Sequence, residues 1–175
     1  MRRQSLSRWR ETEIRRMERS RLATLSFLSR LPEAEILRRR TQGAWSIKDI
    51  LAHCVAWEAE GTRRLQMIAR GQGRRIRYYN DMREADRFKA LAVRKARAMT
   101  LPALLRQATR ARRRLTGVLR RLPPRSLNDP AHRFPVVKWL PEFAWSHERA
   151  HLREIKGWWK AEGRAHSTVS RNRRG

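Results

Sequence analysis

Two histidines four residues apart, His147 and His151, are the residues of this sequence best placed to do chemistry. On a helix that spacing projects both rings from one face, one turn apart. Leu140, Ala144, Ile155 and Trp158 share the face, so the pair sits in an apolar seam. A buried polar group without a partner costs about 1–3 kcal/mol, and two imidazoles in one seam need something to satisfy them. A divalent metal does so, because two His at i and i+4 can converge on one ion. His53 repeats the pattern on another helix, beside Ile50 and Trp57. A third imidazole from a facing helix would set three neutral nitrogens on one side of an ion. The other side would stay open for water or substrate, as in a catalytic rather than a structural site. A chain with five His carries an i, i+4 pair by chance about 0.14 times. Spacing alone therefore leaves open that these are three separate, individually satisfied histidines. His132 falls in a loop and His166 near the end of the chain, where solvent exposure is expected for both.

The run His147-Glu148-Arg149-Ala150-His151 also reads as H-E-x-x-H, with Glu148 as a general base. The zinc-protease continuation needs Gly at 154 and His at 157, where this chain has Glu154 and Gly157. Glu148 is turned about 100° from His147 on the helical wheel, which points it to solvent or to a contact behind the ligands. Glu58 and Glu60, on the helix of His53, are the other carboxylates that could support a ligand or accept a proton. Cys54 is turned about 100° from His53 and reads as an inert core thiol, since a reactive one needs an accessible, electropositive setting. Trp57, Trp139, Trp145 and Trp158 are expected to line or roof the pocket, the alternative being ordinary core packing.

The elements that must position these residues are helical, because the dominant apolar period is 3.6 and no run alternates as a strand does. A first helix is expected over roughly 4–30, with Ile14, Met17, Leu22, Leu25 and Leu28 as its stripe and Pro32 as its stop. The second has the clearest start. Ser46 is its N-cap, Asp49 can reach back to the cap amide, and Trp45 and Ile50 match a hydrophobic staple. Gly71 and Gly73 end it. A basic loop covers 71–80, a shorter helix 81–99, and a third long helix 101–122, closed by Pro123 and Pro124. A loop of about fifteen residues follows, of the kind that often covers sites. The fourth helix runs to about Gly163, with Pro141 either starting it or kinking an earlier start near Pro135. Residues 163–175 lack an apolar period and read as a basic, disordered tail to a domain over 1–162. Four long helices with one apolar stripe each make an all-α four-helix bundle with a long loop between helices three and four.

Trp45-Ser46-Ile47-Lys48-Asp49-Ile50-Leu51-Ala52-His53, followed by Trp57-Glu58, resembles the W-S-x-K-D-x-L-A-H…W-E signature of the DinB-like (YfiT-type) bundle proteins, above all their ClbS/DfsB-like branch. His147-x-x-x-His151-Leu152-x-x-Ile155 resembles the closing helix of that family. The resemblance spans roughly 10–162. It implies a three-His site for Zn, Ni or a similar divalent ion, made by His53, His147 and His151. It also implies one of several activities: low-molecular-weight-thiol S-transferase, thiol-dependent isomerase, metal-dependent hydrolase, or protection against reactive genotoxins. A small electrophile would be the substrate, a thiol the co-substrate, and a homodimer is plausible by analogy.

Composition narrows the classes. The chain has 175 residues and a net charge of +27, with 43 Lys and Arg against 16 Asp and Glu. A single Cys excludes an intramolecular disulfide and a four-Cys zinc site. The absence of a phosphate-binding Gly loop argues against a nucleotide-binding α/β fold. There is no apolar run long enough for a transmembrane segment, and the basic N-terminus lacks the apolar core of a secretory signal, so a cytoplasmic location is expected. The excess charge lies mainly in 63–77, 101–125 and the tail, whereas 141–162 balances four Glu against four cations. The basic surface is thus expected away from the histidines. It fits solvated surface arginines, non-specific nucleic-acid binding or an anionic membrane surface. Two alternatives to an enzyme follow: a non-catalytic metal- or small-molecule-binding bundle, and a basic nucleic-acid-binding protein with incidental histidines.

Overall fold

The computed structural model describes the backbone over 3–39, 41–79 and 81–172, and side chains over 4–39, 41–79 and 81–162. Helices α1 (Arg3–Leu28), α2 (Glu33–Leu37), α3 (Ile47–Ala69), α4 (Met82–Arg97), α5 (Leu101–Arg121), α6 (Val136–Phe143) and α7 (Trp145–Asn172) follow one another. An isolated bridge between Gln42 and Trp45 is the sole β-type pairing among the described residues. The fold is an all-α bundle of α1, α3, α5 and α7. α5 packs on both α1 and α3, α1 also packs on α7, α4 lies against α3, and α6 spans α3 and α7. None of the described helices is long and apolar enough to cross a membrane.

The signals at the start of α3 are realised. Ser46 Oγ accepts from the Asp49 amide at 3.1 Å while an Asp49 carboxylate oxygen accepts from the Ser46 amide at 3.2 Å, the reciprocal pair of a capping box. At the other end Gly71 takes φ +71°. Its amide donates to Ile68 and that of Gln72 to Met67, a Schellman closure that glycine accepts without a Cβ penalty.

Two expectations are corrected and one, the long loop, is refined. A single fourth helix is replaced by α6 and α7, which break at Ala144 (φ −136°, ψ −105°). Pro135 is the N-cap of α6 and Pro141 lies inside it, withholding a backbone donor just before the break. The long loop is partly ordered, since Pro124–Asn128 form a 3-10 turn that seats Leu127, fully buried, in the core against α1. The last helix continues past Gly163 to Asn172, because helical hydrogen bonds are local and need no apolar stripe. Residues 173–175 and the side chains from 163 onward lie outside the described residues, so the expected tail, His166 included, is described only in its backbone to 172.

The core falls into two apolar clusters. One is built on Ile14, Met17, Leu65, Leu115, Leu119 and Leu140, the other on Leu28, Ile47, Ile50, Leu51, Leu104, Ala108 and Ile155. In each long helix a buried charged residue falls between the two sets: Arg21 of α1, Glu58 of α3, Arg112 of α5 and Glu148 of α7. Arg21 donates to Glu58 at 2.6 Å and to Glu148 at 2.7 Å. Arg112 donates to Glu58 and, at 2.9 Å, to Glu148. Ser20 adds a hydrogen bond to Glu148 at 2.8 Å. Two cations and two anions thus compensate one another in a layer that ties all four long helices together.

Candidate metal centre

The segment that delivers His53 is anchored twice before the ring is reached. The capping box fixes the first turn of α3. Asp49 also accepts from Arg97 Nε and Nη2 at 3.1 and 3.0 Å, while Lys48 Nζ donates to the Arg97 and Met99 carbonyls at the end of α4. Burial works to raise the Asp49 pKa, but the Arg97 guanidinium and the Ser46 groups outweigh it and hold the carboxyl below its usual range. The residues that give the Trp45–His53 segment its distinctive pattern therefore clamp α3 to α4, and His53 follows one turn later.

α7 brings His147 and His151 to the same point. His53 Nε2 lies 3.0 Å from His147 Nε2, and His151 Nε2 lies 2.9 Å from that same atom. The three ligand atoms all fall within 4.8 Å of one another. The separations expected for nitrogens on a shared ion are about 3–3.5 Å. A single Nε2 is a donor or an acceptor according to tautomer, so the His147 atom does not satisfy both neighbours well through hydrogen bonds alone. Three converging nitrogen atoms suit a cation, and this group could hold a metal ion.

The protonation balance agrees. Burial, then the neighbouring His147, His151 and Lys89, push His53 down to about 3. Burial, then His151 and Lys89, push His147 down to about 4. Both rings are neutral at pH 7, the state a metal requires. His151 Nδ1 lies 2.9 Å from Glu154 Oε2, a carboxylate behind the ligand that orients the ring. Among the described residues, His53 Nδ1 is buried with no hydrogen-bond partner.

The surroundings are aromatic. Trp45 and Trp57 have ring centroids 5.3 and 6.3 Å from His53. Trp57 packs in turn on Tyr79, Phe88 and Phe143 at 5.5, 5.1 and 4.8 Å. Lys89 follows Phe88 on α4, close enough to act electrostatically on His53 and His147. The other expected pocket residues are placed differently. Trp139 is buried against Phe143, Trp145 donates its indole N–H to Glu13 of α1, and Trp158 lies beside Trp159 under the Arg38 guanidinium.

Glu58 and Glu148 belong to the buried ionic layer. Burial works to raise the Glu148 pKa, but Arg21 and Arg112 hold it low. Glu60 is bound by Arg63 and Arg64 at 2.7 Å each. Cys54 is buried, and burial drives its thiol pKa well above the ordinary value, so it is inert as expected. His132 corrects an expectation. Its side chain is only 8% exposed, because the ring is seated against Gly73, where a Cβ would lie 2.1 Å from Nε2.

Sequence reasoning missed Trp45 as a wall of the site, and Tyr79, Phe88 and Lys89 altogether. Lys89 had a signal, since it shares a helical face with Ala85, Val93 and Ala96, which are buried. Arg21 and Arg112 had one too, as cations on otherwise apolar stripes.

A helical bundle with three imidazoles converging between two of its helices is the class of protein that fold and site define. The chain belongs to the DinB superfamily, whose family model matches residues 16–155. No curated protein and no solved structure matches the chain significantly.

Proposed function

We propose that His53, His147 and His151 bind one divalent ion, Zn or Ni, and that the protein is a metal-dependent enzyme of the ClbS/DfsB-like kind. It joins a low-molecular-weight thiol, or water, to a small electrophile. The step either opens an epoxide C–O bond, with the nucleophile's proton ending on the new hydroxyl, or displaces a leaving group such as halide, with the proton released. The observation that carries this reading is the approach of two Nε2 atoms to a third at 2.9 and 3.0 Å. A divalent ion behind three neutral ligands lowers the pKa of a thiol or water at its open side toward neutrality. The chain's own groups complete the site. Trp45, Trp57, Tyr79 and Phe88 supply an apolar approach that suits the body of an electrophile. The Lys89 ammonium favours an anionic reactant, such as a thiolate or a carboxylate-bearing thiol. Glu154 fixes the ring of His151.

Metal content by mass spectrometry on purified wild type and His151→Ala tests the site. Near-stoichiometric occupancy is expected in the wild type, with a loss of at least tenfold in the variant. Equal, near-zero occupancy in both refutes it. Turnover of a model epoxide or activated aryl halide, with and without added thiol and with metal removed and restored, tests the reaction. Turnover indifferent to metal refutes it.

A further inference from the structure

The cations of α7 are segregated. Arg149, Arg153, Lys156 and Lys160 are all exposed and recur at i, i+4, i+7 and i+11, within a sector of about 60° on the wheel. His147 and His151 lie on the opposite side of the same helix. The acids of this segment are placed elsewhere. Glu148 is in the buried layer, Glu154 is on His151, Glu162 pairs with Arg38 and Glu142 accepts from Ser146. A segment that is neutral by count therefore presents one uncompensated cationic face.

α1 faces this row with Arg16 and Arg19. Between the two helices runs a groove of about 530 Å³, lined by Arg16, Arg19, Trp145, Arg149, Arg153 and Lys156. The Arg16 and Arg149 guanidinium carbons lie 5.0 and 5.7 Å from the Trp145 ring centre, which holds them at the groove. Arg16 shares the buried Glu13. Among the described residues, Arg19, Arg149, Arg153 and Lys156 have no carboxylate within ion-pair distance.

We propose that this α1/α7 groove binds the phosphodiester backbone of a nucleic acid, on the face of α7 turned away from the histidines. The shape of the charge decides the class of partner. Successive α7 cations are about 4.5–6 Å apart along an axis of about 16 Å, which suits a linear polyanion better than a single phosphate. A membrane surface would need apolar side chains beside the cations, but Leu152 is buried and Trp145 is half-buried. The net charge of +27 adds long-range attraction. Base recognition is not implied, because backbone contacts position a protein without reading sequence.

The test is a fluorescence titration of a 20-bp duplex and a single strand of the same length from 50 to 200 mM salt. It uses wild type, the groove triple Arg149→Gln/Arg153→Gln/Lys156→Gln and the control triple Arg70→Gln/Arg74→Gln/Arg75→Gln, which removes the same charge from another exposed surface. Each lost phosphate contact flattens the slope of log K against log salt by about 0.9 on duplex. The groove triple should lower that slope by about 2.7, so that its affinity falls about 40-fold less than that of the wild type across this range. The control triple should leave the slope unchanged. Unchanged melting temperature and metal content in both triples show that the fold and the histidine site are intact. No binding of either nucleic acid at 50 mM salt overturns the proposal. So do equal slope changes in the two triples, or groove-dependent binding to phosphatidylserine vesicles without nucleic-acid binding.

Discussion

Acidifying the metal-free protein should destabilise it in a window set by the histidines rather than the carboxylates. Burial first, and then neighbouring positive charge, holds His53 at about 3 and His147 at about 4, against about 6.5 in the unfolded chain. Below pH 6.5 the unfolded chain takes up protons that the folded protein refuses. The stability from these two neutral rings is therefore complete above pH 6.5 and is lost as the pH falls from there toward the folded-state values. Linkage gives a loss of about 1 kcal/mol per ring between pH 6.5 and 5.5, hence about 2 kcal/mol together. Asp49, Glu60 and Glu148, all held below their ordinary values, contribute stability that is present above about pH 4.5 and lost below it, so they do not enter this interval. The assay is urea unfolding with chelator at pH 6.5, 6.0 and 5.5. Wild type should lose about 2 kcal/mol over that range and His53→Ala about half as much. Equal losses in the two proteins would show that the buried imidazoles do not set the window. Zinc at about 100 times its Kd should add about 2.7 kcal/mol at pH 7 and less at pH 5.5, where protons compete for the ligands.

Arg112→Met should destabilise the fold by about 3–5 kcal/mol, because it leaves two buried carboxylates, Glu58 and Glu148, facing one cation, Arg21. In urea unfolding, adding Glu58→Gln to that variant should cost less than the sum of the two single changes. Gly73→Ala should cost about 1–3 kcal/mol by driving the His132 ring from its seat, and His132→Ala in the same chain should recover most of the loss in thermal melts. Lys89→Gln should tighten zinc binding severalfold in a competition titration, since it removes a positive charge beside the ligands; unchanged affinity would place Lys89 outside the site's field.

Much of this protein is legible in its residues alone. The 3.6 period fixes four long helices, Ser46 and Asp49 fix where α3 begins, and Gly71 fixes where it ends, because caps and closures are local events. Proximity of His147 and His151 follows from their spacing, since four residues span one turn. Nothing local, however, says that His53 meets them, because that depends on how α3 and α7 are held side by side. The tertiary structure decides it through the four-helix layer, in which Arg21 and Arg112 bridge Glu58 of α3 to Glu148 of α7. The same packing takes Glu58 and Glu148 out of the pool of free bases. It also divides the charges of a segment that is neutral on paper into a buried set and an exposed row. Charge counted along a chain carries no direction, and a folded helix has sides.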